Sequence, residues 1–168
     1  SMSGAYRSIG INRNDFMSLI QMRPEGGAGF GTLEWVAYAS NAFNTMVPFY
    51  ADVDETPEYL ANTTGEVSTE NFYWTSRMIA AMADASYGKS LFHVEHYQEN
   101  VLAKSHALIN QYDALLADEK DPEKQMELKR KANRKVAEMV QKEASATLKK
   151  VLYELSNQMK NSYARSDV

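Results

Sequence analysis

The spacing of hydrophobic residues changes near residue 68, and this change restricts the chain to a fold that separates strands from helices. Before residue 68, short apolar runs alternate with turn residues; after it, apolar residues recur every three or four positions. Strands followed by helices are typical of α+β proteins. The 168 residues suffice for one ordinary domain. We therefore predict an α+β fold with a β-rich portion over residues 1–67 and a helical portion over residues 68–168, and we take residues 1–2 as an expression scar.

The start of the β-rich portion predicts a hairpin. Residues 6–12 alternate between two faces, and turn-forming Arg, Asn and Asp follow at 13–15. Residues 16–22 form a second β-patterned run, which Pro24 ends because proline has no N–H to give to a sheet. Two strands this close in sequence are expected to pair antiparallel.

Glycines at positions 26, 27, 29 and 31 connect the hairpin to the next strand. A phosphate-binding loop would need a lysine and a following helix, whereas here a predicted strand follows, so these glycines favour a flexible connection. Residues 33–39 are predicted to form the third strand. Residues 45–50 are apolar but contain Pro48, which fits an edge strand or a loop packed on the core. Residues 52–62 are acidic and are expected to be a connection.

Three helices are predicted after residue 68. The first begins at Ser68 or Thr69 as N-cap and runs to about Tyr87, with Gly88 as a left-handed stop. The second spans residues 93–117, where apolar residues form one stripe.

The third helix is predicted over residues 122–161, with Asp121 as cap and Pro122 in the first turn. It would be on the order of 60 Å long. Residues 123–135 are mostly charged, so we expect that half to be solvated or to project outward, with a partner-binding role as the less favoured alternative.

Composition excludes several functional classes. The formal net charge is −4, which argues against a nucleic-acid-binding module. No apolar run is long enough to cross a bilayer, and we expect no signal peptide in residues 1–6. The chain has no cysteine, so it offers no disulfide, no Cys-ligated metal site and no cysteine nucleophile of its own. His93 and His96 lack the further ligands that a metal site needs, and we predict neither metal nor cofactor.

Arg7 is the candidate functional residue. It shares strand parity with Ile9 and Ile11, so its charge lies on an otherwise apolar face. A buried arginine needs a partner or a site, because an unpaired buried charge is costly. A structural salt bridge and a functional role both remain open for Arg7 on this pattern alone.

Five strings of residues in fixed order carry a family resemblance: 6–13 (YRSIGINR), 19–24 (LIQMRP), 34–37 (EWVA), 47–50 (VPFY) and 68–74 (STENFYW). Together they resemble the C-terminal third of bacterial dipeptidases of the cysteine type. Those enzymes are N-terminal-nucleophile hydrolases related to penicillin V acylase and bile-salt hydrolase. The likeness is dense from about residue 6 to residue 98 and thins beyond.

The resemblance implies a parent enzyme that hydrolyses dipeptides in the bacterial cytoplasm, with a four-layer αββα sandwich. An exposed N-terminal cysteine would attack the scissile carbonyl, and its own α-amine would carry the proton. This chain lacks that cysteine. It is therefore expected to be an inactive C-terminal fragment, one piece of a larger catalytic domain, whose partners are the remaining N-terminal part and, in the intact enzyme, dipeptide substrates.

Related acylases keep one arginine late in the chain beside the nucleophile, and Arg7 matches that arginine best by context. There it would stabilise the thiolate and orient the carbonyl. Arg13 and Arg23 are weaker candidates, because both are expected to be solvent-accessible at strand ends. As a fragment, the chain should expose apolar surface and self-associate. The alternative hypothesis is an autonomous interaction or dimerisation module that uses the long last helix.

Overall fold

The computed structural model describes residues 14–24, 31–40 and 42–159. Within them the chain forms a three-stranded antiparallel sheet followed by helices, which confirms the α+β class. The strands are β1 (Phe16–Met22), β2 (Thr32–Tyr38) and β3 (Val47–Tyr50). The helices are α1 (Glu58–Ala61), α2 (Phe72–Ala85), α3 (Tyr87–Asp118) and α4 (Pro122–Ser156).

The sheet has the order β1-β2-β3, and both pairs of neighbours are antiparallel. The bounds of β1 are those predicted, and β2 begins and ends one residue earlier than predicted. The predicted strand over residues 6–12 and the glycines at 26, 27 and 29 lie outside the described residues. The observed strands therefore begin with the second half of the predicted hairpin.

Strand β3 is an edge of this sheet, as Pro48 predicted, and α4 covers that edge. The N–H of Ala51 donates to the carbonyl of Thr32 at 2.9 Å. The backbone N–H and C=O groups of successive residues in a strand point to opposite sides. Because those of Ala51 point to β2, those of Tyr50 point away from it. The Asn133 side chain of α4 takes both, accepting from the Tyr50 N–H at 2.8 Å and donating to the Tyr50 carbonyl at 3.0 Å. The Asn133 side chain thus makes the two hydrogen bonds that a neighbouring strand would make to Tyr50, and it protects this edge of the sheet.

Helices pack against both faces of the sheet. Val36, Val47 and Phe49 contact one apolar cluster with α2 and the middle of α4. Leu33 and Trp35 contact a second cluster, formed by the end of α3 and the start of α4. The two clusters share the hairpin of α3 and α4, so this hairpin is the main support of β2 and β3.

Two of the predicted boundaries of the first helix are wrong. The N-cap of α2 is Asn71, whose side chain accepts from the Trp74 N–H at 2.9 Å. Gly88 does not stop the helix, because it lies inside α3. The break falls at Ser86, whose N–H bonds to the carbonyls of Met82 and Ala83. These bonds satisfy the end of α2 without a left-handed residue.

The expectation that residues 123–135 are solvated or project outward is wrong for the face of this segment that contacts the rest of the protein, although its other face is exposed. The side chains of Lys129, Ala132 and Asn133 are buried. Arg130 holds Asp54 through two hydrogen bonds of 2.7 Å, and Arg134 pairs with Glu55. The charges of this segment hold the acidic loop after β3 against the body of the protein. The predicted start of α4, with Asp121 as cap and Pro122 next, is confirmed.

We expect Gly31→Ala to destabilise the chain by about 2 kcal/mol in urea denaturation. Gly31 has φ +54°, and a Cβ there would lie 2.7 Å from Oδ1 of Asp52, the carboxylate that pairs with Lys129. Gly88→Ala is the matched control: a Cβ there meets nothing within 4 Å, and the helix should gain up to about 0.5 kcal/mol. Equal effects of the two substitutions would contradict this assignment of Gly31.

Candidate functional site

Of the three arginines singled out in the sequence, Arg23 is the one that the structure describes; Arg7 and Arg13 lie outside the described residues. Arg23 follows the last residue of β1. Its guanidinium lies 2.6 Å from Oδ2 of Asp113 on α3, and its side chain is 17% exposed. The expectation that Arg23 is solvent-accessible is therefore wrong, because α3 supplies a carboxylate that holds the side chain against the sheet.

Tyr50 completes this arrangement, which we call the Arg23 network (Arg23, Tyr50 and Asp113). The Tyr50 hydroxyl donates to Oδ1 of Asp113 at 2.7 Å, and the Arg23 guanidinium carbon lies 5.6 Å from the centre of the Tyr50 ring. Burial, followed by the hydrogen bond to Asp113, raises the pKa of Tyr50 well above its usual value. Tyr50 therefore stays a neutral hydrogen-bond donor at physiological pH.

Neighbouring side chains fix the surroundings of the network. The indole N–H of Trp35 donates to Oε1 of Gln21 at 2.9 Å, which joins β2 to the end of β1. The ring of His106 on α3 lies 5.5 Å from Trp35, centroid to centroid. Strands β1 and β2 and helix α3 are thus locked together where β1 ends.

The Arg23 network fixes the positions of its own guanidinium and carboxylate groups, but it contains no nucleophile. A planar guanidinium can orient a carboxylate or a developing oxyanion when one of its edges is open to a ligand. In this structure Asp113 takes part of that capacity. The arrangement therefore fits a positioning role and does not by itself supply bond-breaking chemistry.

Exposed ion pairs shape the loop beside β3. The hydrogen bonds from Arg130 lower the pKa of Asp54, and those from Arg134 and then Arg130 lower the pKa of Glu127. Both carboxylates are more than half exposed, so the pairs add little stability individually and fix mainly the position of the loop. The sequence showed the basic residues but not their partners on the loop, Asp54 and Glu55, which lie more than 70 residues earlier in the chain.

A second polar group lines a groove of about 440 Å³ between the start of β1 and α2. Arg77 pairs with Asp15 at 2.5 Å and lies over the rings of Tyr73 and Trp74, at 5.7 and 6.0 Å. The groove also contains Ala39, a non-glycine residue with φ +61°. No local pattern in the sequence pointed to Arg77, because its acidic partner is 62 residues away.

His93 and His96 contact neighbouring side chains. Nε2 of His93 lies 3.3 Å from Oε1 of Glu154, and the ring of His96 stacks on Phe92 with centroids 5.9 Å apart. Across residues 14–24, 31–40 and 42–159, no three His, Cys, Asp or Glu side chains converge as a metal site would require. No helix in this part of the chain is both long and apolar enough to cross a membrane.

Comparison with known proteins decides the family. The model of peptidase family C69 matches residues 2–100. The chain belongs to peptidase family C69. It is 41% identical over 164 residues to a protein named probable dipeptidase A from Streptococcus pyogenes serotype M18 and 34% identical over 200 residues to a dipeptidase of Bifidobacterium longum. A dipeptidase A of Lactobacillus helveticus is 31% identical over 108 residues. The resemblance to bacterial dipeptidases is thus confirmed.

These alignments cover most of this chain but a much smaller share of each relative. The first two span 96% of this chain but 33% and 37% of the relatives, and the third spans 64% of this chain and 23% of its relative. The chain thus spans about a third of the length of the two dipeptidase relatives that it matches along most of its own length. The C69 match includes Arg7, Arg23 and Tyr50, whereas Asp113 lies beyond it.

Proposed function

We propose that this chain is the C-terminal part of a bacterial dipeptidase and contributes to hydrolysis of dipeptides only together with the N-terminal part of that enzyme. The observation that carries the proposal is the 41% identity over 164 residues that make up only 33% of a dipeptidase relative. The absence of cysteine from all 168 residues supports it, because a cysteine-type peptidase then has its nucleophile elsewhere.

In this proposal the N-terminal part supplies an N-terminal cysteine. Its thiolate attacks the scissile carbonyl, the peptide C–N bond breaks, and the free α-amine passes its proton to the departing amino group of the second residue. Water then hydrolyses the thioester, which releases the first amino acid and frees the cysteine. This chain supplies supporting groups. We assign Arg7 to stabilising the thiolate and orienting the carbonyl, as a planar cation can. We assign the Arg23 network to positioning, since it ties the end of β1 to α3.

The alternative, an interaction module built on the last helix, is not favoured by any contact in the described residues. Helix α4 does not project: buried side chains are found from Lys129 to Val151, and Asn133 is bonded to the edge of the sheet. A cytoplasmic location and self-association of the isolated chain remain parts of the dipeptidase proposal.

The test compares the isolated chain with a chimera in which this chain replaces the matching third of the probable dipeptidase A of S. pyogenes. We expect the chimera to hydrolyse Ala-Ala and the isolated chain to be at least about 10³-fold less active, because it has no attacking group. Ninhydrin detection of released alanine measures both rates.

The matched control is the chimera with its N-terminal cysteine changed to alanine, which should fall to the level of the isolated chain. Hydrolysis of Ala-Ala by the isolated chain would refute the proposal. So would a folded chimera that remains inactive while the parent relative is active.

A further inference from the structure

We propose that the exposed apolar side chains of β1 form the surface against which the remaining two thirds of the dipeptidase polypeptide packs. This inference rests on the proposed function and names the face of the chain that meets the missing part. We call the side chains of Phe16, Ile20 and Met22 the β1 face.

The two outer strands of the sheet differ sharply in burial. All four residues of β3 are buried. In β1, by contrast, Phe16 is 52% exposed, Ile20 57% and Met22 80%. A strand that exposes large apolar side chains next to a well-packed strand is typical of a surface that is covered in the complete assembly. The described helices cover β2 and β3 but leave β1 open.

Three of the four exposed apolar side chains of β1 lie together on one face, whereas Leu19, 53% exposed, points to the other. In the register of the sheet, Phe16 is opposite Tyr38, Ile20 is opposite Glu34, and Met22 is opposite Thr32. Successive side chains of a strand alternate in direction, so Phe16, Ile20 and Met22 point to the same side. That side continues into a groove of about 370 Å³ that Phe16, Val36 and Phe49 line together with the acidic loop. The β1 face thus adjoins a groove that is lined by both apolar and acidic side chains.

The occupant that best fits this surface is the rest of the enzyme. The relatives carry about twice as much additional polypeptide as the part that matches this chain, and residues 2–100 of the family match include β1. A second copy of the chain fits less well. Glu34, which accepts from Ser18 at 2.6 Å, lies on the same face. A symmetric pair would therefore bring two Glu34 carboxylates onto one apolar interface, where like charges repel.

Methionine oxidation offers a direct readout with an internal control. Met22 is 80% exposed and Met159 is 75% exposed. In the isolated chain, hydrogen peroxide should oxidise both to sulfoxides at rates within about twofold of each other. In the chimera with the S. pyogenes dipeptidase, we expect oxidation of Met22 to slow at least about tenfold while Met159 stays reactive. Peptide mass spectrometry over a time course measures both.

A pair of charge substitutions gives a second, independent readout. Ile20→Glu and Phe92→Glu each replace a side chain that is more than half exposed, at 57% and 69%. Phe92→Glu should change the Tm of the isolated chain by no more than about 1 °C, and Ile20→Glu, which faces Glu34 across the strand pair, should lower it by no more than about 2 °C. In the chimera, Ile20→Glu should lower Tm by several degrees because it buries a charge, whereas Phe92→Glu should not.

The outcomes separate this inference from the proposed function. An active chimera in which Met22 oxidises as fast as Met159, and in which Ile20→Glu has no effect, overturns the inference and leaves the proposed function standing. Protection of Met22 in the isolated chain that increases with its concentration, together with no protection of Met22 in the chimera, assigns the surface to a second copy and also overturns the inference. A folded, inactive chimera with protected Met22 supports the surface and refutes the proposed function.

Discussion

Replacing Asn133 with leucine is expected to destabilise the chain by about 3 kcal/mol, a large share of the stability of a domain of this size. Leucine has a similar size but cannot hydrogen-bond. The N–H and C=O of Tyr50, which Asn133 binds at 2.8 and 3.0 Å, would then be left buried without partners. Each unsatisfied backbone group costs roughly 1–3 kcal/mol. Urea denaturation followed by circular dichroism measures the loss.

Two further variants make this prediction specific. Asn133→Asp keeps an acceptor for the Tyr50 N–H but loses the donor for the carbonyl, so it should also destabilise the chain. Asn110 is an exposed asparagine on α3, and Asn110→Leu should change the free energy of unfolding by less than about 0.5 kcal/mol. If Asn133→Leu proved as mild as Asn110→Leu, the bonds to Tyr50 would not be what closes the edge of β3.

Replacing Arg7 with alanine in the active chimera is expected to lower turnover of Ala-Ala by roughly 10²-fold or more, while Tm changes little. The proposed reason is that the guanidinium stabilises negative charge on the thiolate and on the attacked carbonyl, and removing one such group typically costs this much. Steady-state kinetics across pH measures the effect, since loss of a cation should also raise the apparent pKa of the thiol.

The matched control is Arg130→Ala, which removes an arginine that pairs with the exposed carboxylate of Asp54. Its turnover should stay within about twofold of the parent chimera. Unchanged turnover in Arg7→Ala would remove Arg7 from the catalytic machinery. A large fall in Tm would instead assign it to a structural salt bridge.

Short sequence patterns correctly predicted the features that neighbouring residues determine. The bounds of β1 followed from the run of β-forming residues that ends at Pro24, and the start of α4 followed from Asp121 and Pro122. The edge position of β3 followed from Pro48, whose missing N–H suits an edge. In each case neighbouring residues carry the physical reason.

Features that depend on distant partners could not be predicted in the same way. Arg23 was expected to be accessible because its carboxylate, Asp113, lies 90 residues later. The charged start of α4 was expected in solvent because the partners of Arg130 and Arg134 lie on a loop more than 70 residues earlier. The misplaced stop at Gly88 has another cause: two helices separated by one residue leave no loop signature in the sequence.

The bond between Tyr50 and Asn133 has a consequence for synthesis of the protein. The two residues are 83 positions apart, and ribosomes add roughly 5–20 residues per second. Strand β3 therefore emerges on the order of ten seconds before the side chain that seals it. During that interval the β3 edge of the nascent sheet is open, and chaperones that bind exposed strands would act on the polypeptide at that stage.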